Sequence, residues 1–255
     1  MVYNSNAIEN STLSLKDTED IIWRDIIKKH ADIREVYEAK NLAKITEGLL
    51  KNPHTKLTTE LILALHKILL SGINDHWAGR FRSGNEWVRV GGHLGANPDF
   101  TSSLMAELVA KYNRPSDDYF LDKIAHFHAE IENIHPFCDG NGRIGRVLIN
   151  QQLMALDLPP VIIQNKSKHS DYYPLFDEYV HENKFDGFTK LLAGLLIESL
   201  YKRLAILTSC KIIPLSEWAK REGVTDNVAA NKAARGTVPA FRLREKWHIS
   251  ANFHD

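Results

Sequence analysis

The spacing of apolar residues constrains this chain more than any other feature, because leucine, isoleucine and valine recur every three or four positions through most of it. Leu61, Leu65 and Ile68 are one example, and side chains at such intervals share one face of an α-helix. The pattern therefore predicts a mainly α-helical fold. Helices are expected at residues 14–30, 32–51, 58–71, 100–113, 116–134, 141–156, 170–182 and 186–209.

One stretch, residues 79–98, departs from the helical pattern. Glycines bound it on both sides, and its centre, Trp87-Val-Arg-Val90, is rich in residues that favour strands. Glycine next to a short β-prone run is typical of a hairpin. The sequence therefore predicts a short β-hairpin or flap here, and no comparably clear β signal precedes residue 200.

Composition excludes several classes of protein. The 255 residues hold 32 Lys and Arg against 32 Asp and Glu, so a globally basic nucleic-acid coat and an acidic disordered tail are excluded. No apolar run approaches the ~18 residues of a membrane span, and no signal peptide is visible. Cys138 and Cys210 make no disulfide framework. We expect a cytoplasmic protein without membrane contact, built as one large domain or as one domain with a small appendage.

A stretch from His135 to Arg146, His-Pro-Phe-Cys-Asp-Gly-Asn-Gly-Arg-Ile-Gly-Arg, concentrates residues suited to phosphate chemistry. Gly140 and Gly142 allow a tight turn with bare N–H groups, and a predicted helix follows at once. A glycine-rich loop at a helix N-terminus binds anions. Arg143 and Arg146, three residues apart, share a helix face beside it. The pattern indicates a polyphosphate site.

Three other residues of this stretch supply the remaining chemistry. The hard oxygens of Asp139 suit a divalent cation whose shell phosphate oxygens complete. Asn141 is able to donate a hydrogen bond to a phosphate oxygen. His135 titrates near neutrality, as a general base should.

The same stretch resembles the signature of the Fic family, His-Pro-Phe-x-Asp/Glu-Gly-Asn-Gly-Arg-x-x-Arg, and every specified position is present. The resemblance implies a Fic-type helical core, here residues 31–210, with a hairpin flap upstream. It implies transfer of AMP from ATP to a Ser, Thr or Tyr hydroxyl of a target protein, with the chain itself as a further target, and dependence on Mg²⁺ or Mn²⁺. Transfer of a different phosphate-containing group is an alternative.

The resemblance also implies residue roles. His135 would deprotonate the hydroxyl, and Asp139 would hold the metal ion. Phosphate oxygens would be bound by Gly140, Asn141, Gly142, Arg143 and Arg146. Adenine would be bound by Tyr172, Tyr173 and Asn183, although both tyrosines could instead only pack. The flap that pairs with the target backbone would comprise Gly84, Asn85, Glu86, Trp87, Val88, Arg89 and Val90.

A second pattern lies in residues 1–30. Ser5, Glu9 and Asn10 occupy the specified places of a string that resembles the Fic inhibitory motif, Ser/Thr-x-x-x-Glu-Gly/Asn. In that interpretation Glu9 lies on an inhibitory helix, pairs with Arg146 and withholds it from the γ-phosphate. In some relatives the same glutamate instead positions a water that removes AMP from a modified target. The sequence leaves both directions of reaction open.

Residues 211–255 form a third segment with eight Lys or Arg, five Asp or Glu and so a net charge of +3. A predicted helix from Leu215 meets Gly223, and a second begins near Asp226, which is helix-turn-helix spacing. The segment resembles the small winged units of excisionase-like and MerR-like proteins. It would bind DNA, contact proteins or support a homodimer. The DNA-facing residues would be Asn227, Asn231, Lys232 and Arg235.

Overall fold

A computed structural model describes residues 1–208 and 211–254 of the chain. Its Cα positions divide into two compact units. The first comprises Met1–Leu158 and Ile162–Leu191, and the second comprises Pro159–Val161 and Leu192–Asp255. Cys210 lies outside the described residues. The predicted boundaries at residues 30 and 210 stay a prediction.

Helices make up most of both units, as the apolar spacing predicted. A π-helical turn, Lys168–Tyr172, precedes the eighth helix, and short 3-10 turns occupy Pro98–Phe100 and Asn165–Ser167. None of the described helices combines the length and apolar character needed to cross a membrane. In chain order the α-helices are α1 Val2–Ile8, α2 Leu15–Arg24, α3 Ile33–Lys51, α4 Thr59–Leu70, α5 Thr101–Asn113, α6 Phe120–Ile134, α7 Asn141–Ala155, α8 Tyr173–Glu182, α9 Asp186–Thr208, α10 Leu215–Arg221 and α11 Asp226–Ala234.

The second helix differs from its prediction at its end. It begins as expected, because the side chains of Ser14 and Asp17 form a capping box with each other's backbone N–H groups. It ends at Arg24, however, and not at residue 30, because Asp25 takes a left-handed backbone with φ 58°. The two isoleucines that extended the periodic pattern, at positions 26 and 27, are exposed.

The core of the first unit lies around α6 and α7. Its largest cluster joins these two helices to α3, α4 and α5, and Phe127, Ile144 and Leu148 within it are at most 1% exposed. Phe137, from the loop between α6 and α7, is completely buried in the same cluster. Burying a phenylalanine stabilises a fold by about 2–3 kcal/mol, so this side chain anchors the loop to the core.

The predicted hairpin is present as β1, Arg89–Val90, and β2, His93–Leu94. The strands are antiparallel, with Arg89 opposite Leu94. Gly91 in the turn has φ +54°, a conformation that glycine adopts without strain. The strand begins two residues later than the β-prone run, because the N–H of Trp87 bonds the Asn85 carbonyl in a turn at 2.9 Å.

The C-terminal part of the second unit has the predicted two helices and wing. Helices α10 and α11 are followed by β4, Phe241–Leu243, and β5, Lys246–Ser250. A strand that the sequence analysis missed, β3 (Ile212–Pro214), completes a sheet in the order β3-β5-β4. Trp218 of α10 is fully buried at the centre of this segment's own hydrophobic cluster.

Candidate active site

His135 occupies the C-cap of α6 with a left-handed backbone, φ 52°. Its Nδ1 lies 3.2 Å from the main-chain oxygen of Glu132. A carbonyl oxygen can only accept, so Nδ1 carries the ring proton in the neutral imidazole and Nε2 is the basic nitrogen. The side chain retains 21% of its surface exposed. The ring is therefore fixed on one side and remains accessible to a substrate.

Arg82 holds the backbone at this point, and the sequence analysis did not identify it. The guanidinium is 1% exposed and donates to the carbonyls of His135 at 2.7 Å, Ile134 at 2.9 Å and Ala96. It therefore joins the last turn of α6 to the segments that flank the hairpin. The sequence offered one hint of this role, the place of Arg82 within the glycine-bounded stretch. An arginine at such a place is equally typical of an exposed side chain, so the hint did not identify a buried one.

The loop between α6 and α7 is closed by the side chain of Asn141. Its Oδ1 accepts from the N–H of Phe137 and its Nδ2 donates to the carbonyl of Phe137, both at 2.8 Å. The amide that was predicted to bind phosphate is therefore used within the loop. Gly140 takes φ +82° at the N-cap of α7, and a Cβ there would lie 2.9 Å from Leu69.

His66 of α4 packs against the loop between α6 and α7, and the sequence analysis did not identify this residue either. Its ring stacks on Phe137 with centroids 3.7 Å apart. Nδ1 accepts from the N–H of Gly79 at 3.0 Å, so Nε2 donates to the Asp139 carbonyl at 3.0 Å. Burial lowers the pKa of His66 to about 4, so the ring is neutral and structural at neutral pH.

Asp139 belongs to a network of charges. Arg143 Nη2 lies 3.0 Å from Oδ1 of Asp139, and Arg34 Nη2 contacts Oδ2. Glu38 lies 3.0 Å from Arg34 and 2.8 Å from Arg143. The Arg143 side chain is 4% exposed, whereas that of Arg34 is 51% exposed. Sequence reasoning identified Asp139 and Arg143 and missed Arg34 and Glu38, which lie more than 100 residues away along the chain.

The donors around Asp139 suit a magnesium ion better than a zinc ion. Mg²⁺ is commonly bound by one or two carboxylates together with substrate phosphates, and Asp139 precedes a helix N-terminus whose first N–H groups attract phosphate. Among residues 1–208 and 211–254, no group of three His, Cys, Asp or Glu side chains could hold a metal by itself. A metal site here would therefore need oxygens from the nucleotide.

Glu9 contacts Arg146, as the interpretation of the inhibitory motif predicted, and Ser5 of the same motif contacts this arginine as well. Arg146 Nη2 lies 2.7 Å from Oε1 of Glu9, and its Nε and Nη2 donate to the hydroxyl and carbonyl of Ser5 at 3.0 and 2.9 Å. Burial opposes the charge on Glu9, but the pKa of Glu9 lies below its ordinary value because Arg146 outweighs that effect. A Cβ at Gly142 would lie 2.4 Å from Oε1 of Glu9, so the carboxylate lies directly against the loop.

Asn10 follows with φ 66°, and its side chain contacts Lys168. Lys168 is 9% exposed. Its ammonium group donates to Oδ1 of Asn10 at 2.9 Å and to the carbonyls of Ile8 at 3.0 Å and Ala7 at 3.4 Å. The Tyr173 hydroxyl donates to the Ile8 carbonyl at 2.9 Å. These contacts hold the C-terminal end of α1, and the sequence analysis did not foresee Lys168.

The three residues predicted to bind adenine differ in how exposed they are. Tyr172 is 1% exposed, and its hydroxyl lies 2.8 Å from Nε2 of His128. Tyr173 contacts α1, as described above. Asn183 is the exposed C-cap of α8, with φ 52°. Tyr172 therefore packs in the core, which is the alternative that its sequence position had left open.

The flap residues precede and form the hairpin. Glu86 is bound by Arg80 through two nitrogens, at 2.8 and 2.6 Å, and its Oε2 accepts from the N–H of Ser83 at 2.9 Å. Arg89 is exposed and Trp87 is 52% exposed. This ion pair fixes the turn that includes Gly84 and Asn85, and it leaves apolar surface accessible next to β1.

The chain is similar to several known proteins. The sequence model of the Fic/DOC family matches residues 56–153. Protein adenylyltransferase Fic of Aedes aegypti is 32% identical over 197 residues, which are 75% of this chain and 39% of that protein. The protein of the same name from Nematostella vectensis is 30% identical over 228 residues, 87% of this chain and 51% of that protein. The chain thus spans about half or less of the length of these curated relatives.

A crystal structure gives the same result for the fold. A Fic domain containing signaling protein from Bacteroides thetaiotaomicron is 26% identical, with a TM-score of 0.70 over 92% of this chain and 85% of that one. The range that the family model matches includes the loop from His135 to Gly140 and all of α6. The chain therefore contains a domain of the Fic/DOC family in residues 56–153.

Proposed function

We propose that the chain is an autoinhibited protein adenylyltransferase that transfers AMP from ATP to a hydroxyl of a target protein. The observation that carries the proposal is that one loop and helix bring together His135, Asp139 and Arg146, while Glu9 pairs with that arginine at 2.7 Å. Relatives named protein adenylyltransferase support the choice of reaction. The target is a protein with an accessible Ser, Thr or Tyr, and the chain itself is a further target.

In the reaction, a target hydroxyl attacks the α-phosphorus of ATP in line with the departing pyrophosphate. Its proton passes to Nε2 of His135, the O–P bond to AMP forms, and the bond to the β-phosphate oxygen breaks. Arg143, Arg146 and the first N–H groups of α7 bind the phosphates and stabilise the developing charge. Asn141 keeps the loop in the conformation that presents those N–H groups. Positioning and charge together provide most of the rate enhancement.

A divalent cation, Mg²⁺ or Mn²⁺, would be held by Asp139 and would neutralise phosphate charge. Arg34 is the exposed partner of this carboxylate and would move aside. The flap at residues 84–90 would pair with an extended segment of the target as an added strand. Such pairing uses main-chain hydrogen bonds, so it tolerates different target sequences.

Glu9 blocks this reaction by occupying Arg146 and by placing a carboxylate against the loop at Gly142. Both effects oppose binding of the γ-phosphate of ATP. The first removes Arg146 as its partner, and the second repels it because the carboxylate carries a like charge. Hydrolytic removal of AMP from a modified target, with a water positioned by Glu9 as the nucleophile, is the alternative that uses the same groups. It requires Glu9, whereas AMP addition gains from its loss.

The test uses α-labelled ATP, Mg²⁺ and a cell lysate with wild type, Glu9→Gly and the double variant Glu9→Gly/His135→Ala. We expect protein labelling with Glu9→Gly alone, because the double variant lacks the base. Equal labelling by wild type and Glu9→Gly would contradict autoinhibition. Loss of label from a modified target with wild type, and none with Glu9→Gly, would establish removal as the activity.

A second candidate function is DNA binding by residues 211–254. It is favoured by the helix-turn-helix and wing, in which Asn227 and Asn231 of α11 and Arg235 at its C-cap are exposed and Lys232 is half-buried. Fluorescence anisotropy with duplex DNA at several salt concentrations would test it, because phosphate contacts give an affinity that falls steeply with salt. An unchanged anisotropy at low salt would favour a protein contact or a homodimer instead.

A further inference from the structure

We propose that Glu132 is a positioning residue for His135: its carboxyl group lies behind the imidazole and stabilises the imidazolium formed when the target hydroxyl gives up its proton. The inference rests on the proposed function, because it concerns the same proton transfer. Glu132 lies three residues before His135, in the last turn of α6, and outside the family signature.

Two groups of Glu132 approach the same nitrogen. Its main-chain oxygen lies 3.2 Å from Nδ1 of His135, and its Oε2 lies 3.8 Å from that atom. The first contact fixes the ring and its tautomer. The second places a carboxyl group beside Nδ1, on the ring edge opposite Nε2. The imidazolium formed when Nε2 takes up the proton shares its positive charge with this edge.

The carboxyl group of Glu132 is buried at a site that offers it few hydrogen-bond partners. Glu132 is 7% exposed, and its Oε1 has no hydrogen-bond partner within the described ranges 1–208 and 211–254. A buried polar atom without a partner destabilises a fold, so such atoms call for an explanation, and a catalytic role is one. A hydrophobic side chain of similar volume would fill this space at less cost.

Gly145 makes room for this carboxyl group. A Cβ at position 145 would lie 2.3 Å from Oε1 of Glu132, closer than any side chain tolerates. Position 145 is one of the two unspecified positions between the arginines of the signature. Glycine there is thus explained by Glu132 and not by phosphate binding.

The surrounding charges determine when the carboxyl group ionises. Burial raises the pKa of Glu132 to about 8; Arg146 opposes this shift and Glu9 adds to it. Withdrawal of Glu9 and protonation of His135 both favour the carboxylate, so a counter-charge becomes available as the imidazolium forms. Among the described residues, the titratable and charged groups that face Glu132 are Arg146 from α7, Glu9 after α1, Tyr172 and Tyr173 at the start of α8, and His128 and His135 from α6 and its cap.

The experiment compares Glu9→Gly with Glu9→Gly/Glu132→Gln, because glutamine keeps the shape of the side chain and cannot ionise. We expect the titration midpoint of His135, followed by NMR of labelled histidine, to fall by about one pH unit or more. We also expect kcat to fall at least about tenfold, with KM for ATP nearly unchanged. Glu130→Gln is the matched control, because Glu130 also lies on α6 but accepts from Tyr179; neither quantity should change.

A second variant, Gly145→Ala, displaces the carboxyl group without removing it and keeps the inference testable if the glutamine variant is unstable. It should shift the same midpoint, whereas Glu132→Asp should restore part of the rate. An unchanged His135 midpoint in an active Glu132→Gln variant would overturn the role of Glu132. Absence of AMP transfer by Glu9→Gly at every pH would instead reject the proposed function, and the histidine titration would remain readable.

Discussion

Replacement of Lys168 by methionine should loosen α1 while leaving the loop at His135 intact. Methionine keeps the apolar stem and removes the ammonium that donates to the end of α1 at 2.9, 3.0 and 3.4 Å. The Ala7 and Ile8 carbonyls each retain one other donor, the N–H of Asn10 and the Tyr173 hydroxyl. The variant therefore loses only part of the hydrogen bonding at the end of α1, namely the bonds donated by the charged ammonium group.

A hydrogen bond to a charged group contributes about 1.5–3 kcal/mol. We expect the variant to weaken docking of α1 by about 2–3 kcal/mol, which corresponds to a roughly 30- to 150-fold shift toward the undocked state. Amide hydrogen exchange measures this directly. The N–H of Ser11, which bonds the Asn6 carbonyl at 3.1 Å, should exchange faster by about that factor. AMP transfer should rise in parallel.

Lys190→Met is the control, because Lys190 is an exposed lysine on α9, outside the group of residues that contacts α1 in the described ranges. It should leave both exchange and transfer at wild-type values. If Lys168→Met and Lys190→Met gave equal exchange at Ser11, the contacts of Lys168 would not stabilise α1. In a Glu9→Gly background, Lys168→Met should add little, because the inhibitory carboxylate is already absent.

Three further predictions concern single contacts. Gly142→Ala places a Cβ 2.4 Å from Oε1 of Glu9, so the exchange of α1 amides should accelerate; unchanged exchange would mean that Glu9 moves aside without cost. Arg34→Gln removes the exposed partner of Asp139, so Mn²⁺ titrated into the protein together with a non-hydrolysable ATP analogue and followed by EPR should bind more tightly; equal or weaker binding contradicts competition between Arg34 and the metal. Glu132 has a pKa of about 8 in the folded chain against 4.5 ordinarily, so the folded state holds a proton that the unfolded state has released between these values. The free energy of unfolding should therefore fall as pH rises from about 4.5 to 8, and urea denaturation of Glu132→Gln should lack this part of the decline.

The sequence predicted those parts of the fold that depend on neighbouring residues. Apolar spacing identified the helices, and the Ser14 and Asp17 pair identified the start of α2. The chemistry of the loop from His135 to Arg146 was readable for the same reason, since its residues are adjacent in the chain. The end of α2 was not readable, because the left-handed turn at Asp25 interrupts a periodic pattern that continues beyond it.

Contacts between distant segments could not be predicted. Arg82, Lys168 and His66 each contact at least one residue more than 50 positions away, and an isolated arginine, lysine or histidine carries no signal of such a partner. Asn141 shows a different limit. Its amide is chemically suited to a phosphate oxygen and to the backbone of Phe137, and only the geometry of the loop decides between them.

Because Glu9 and Arg146 belong to one chain, their pairing depends on local concentration and not on the concentration of the protein. A tethered group meets its partner at an effective concentration that reaches the millimolar range for short flexible connections. Dilution therefore leaves the Glu9–Arg146 pair intact, whereas an inhibitor on a separate chain would dissociate. Under the proposed function, a nucleotide would compete with that fixed local concentration at every protein level, and a change that weakens the docking of α1 would favour the nucleotide.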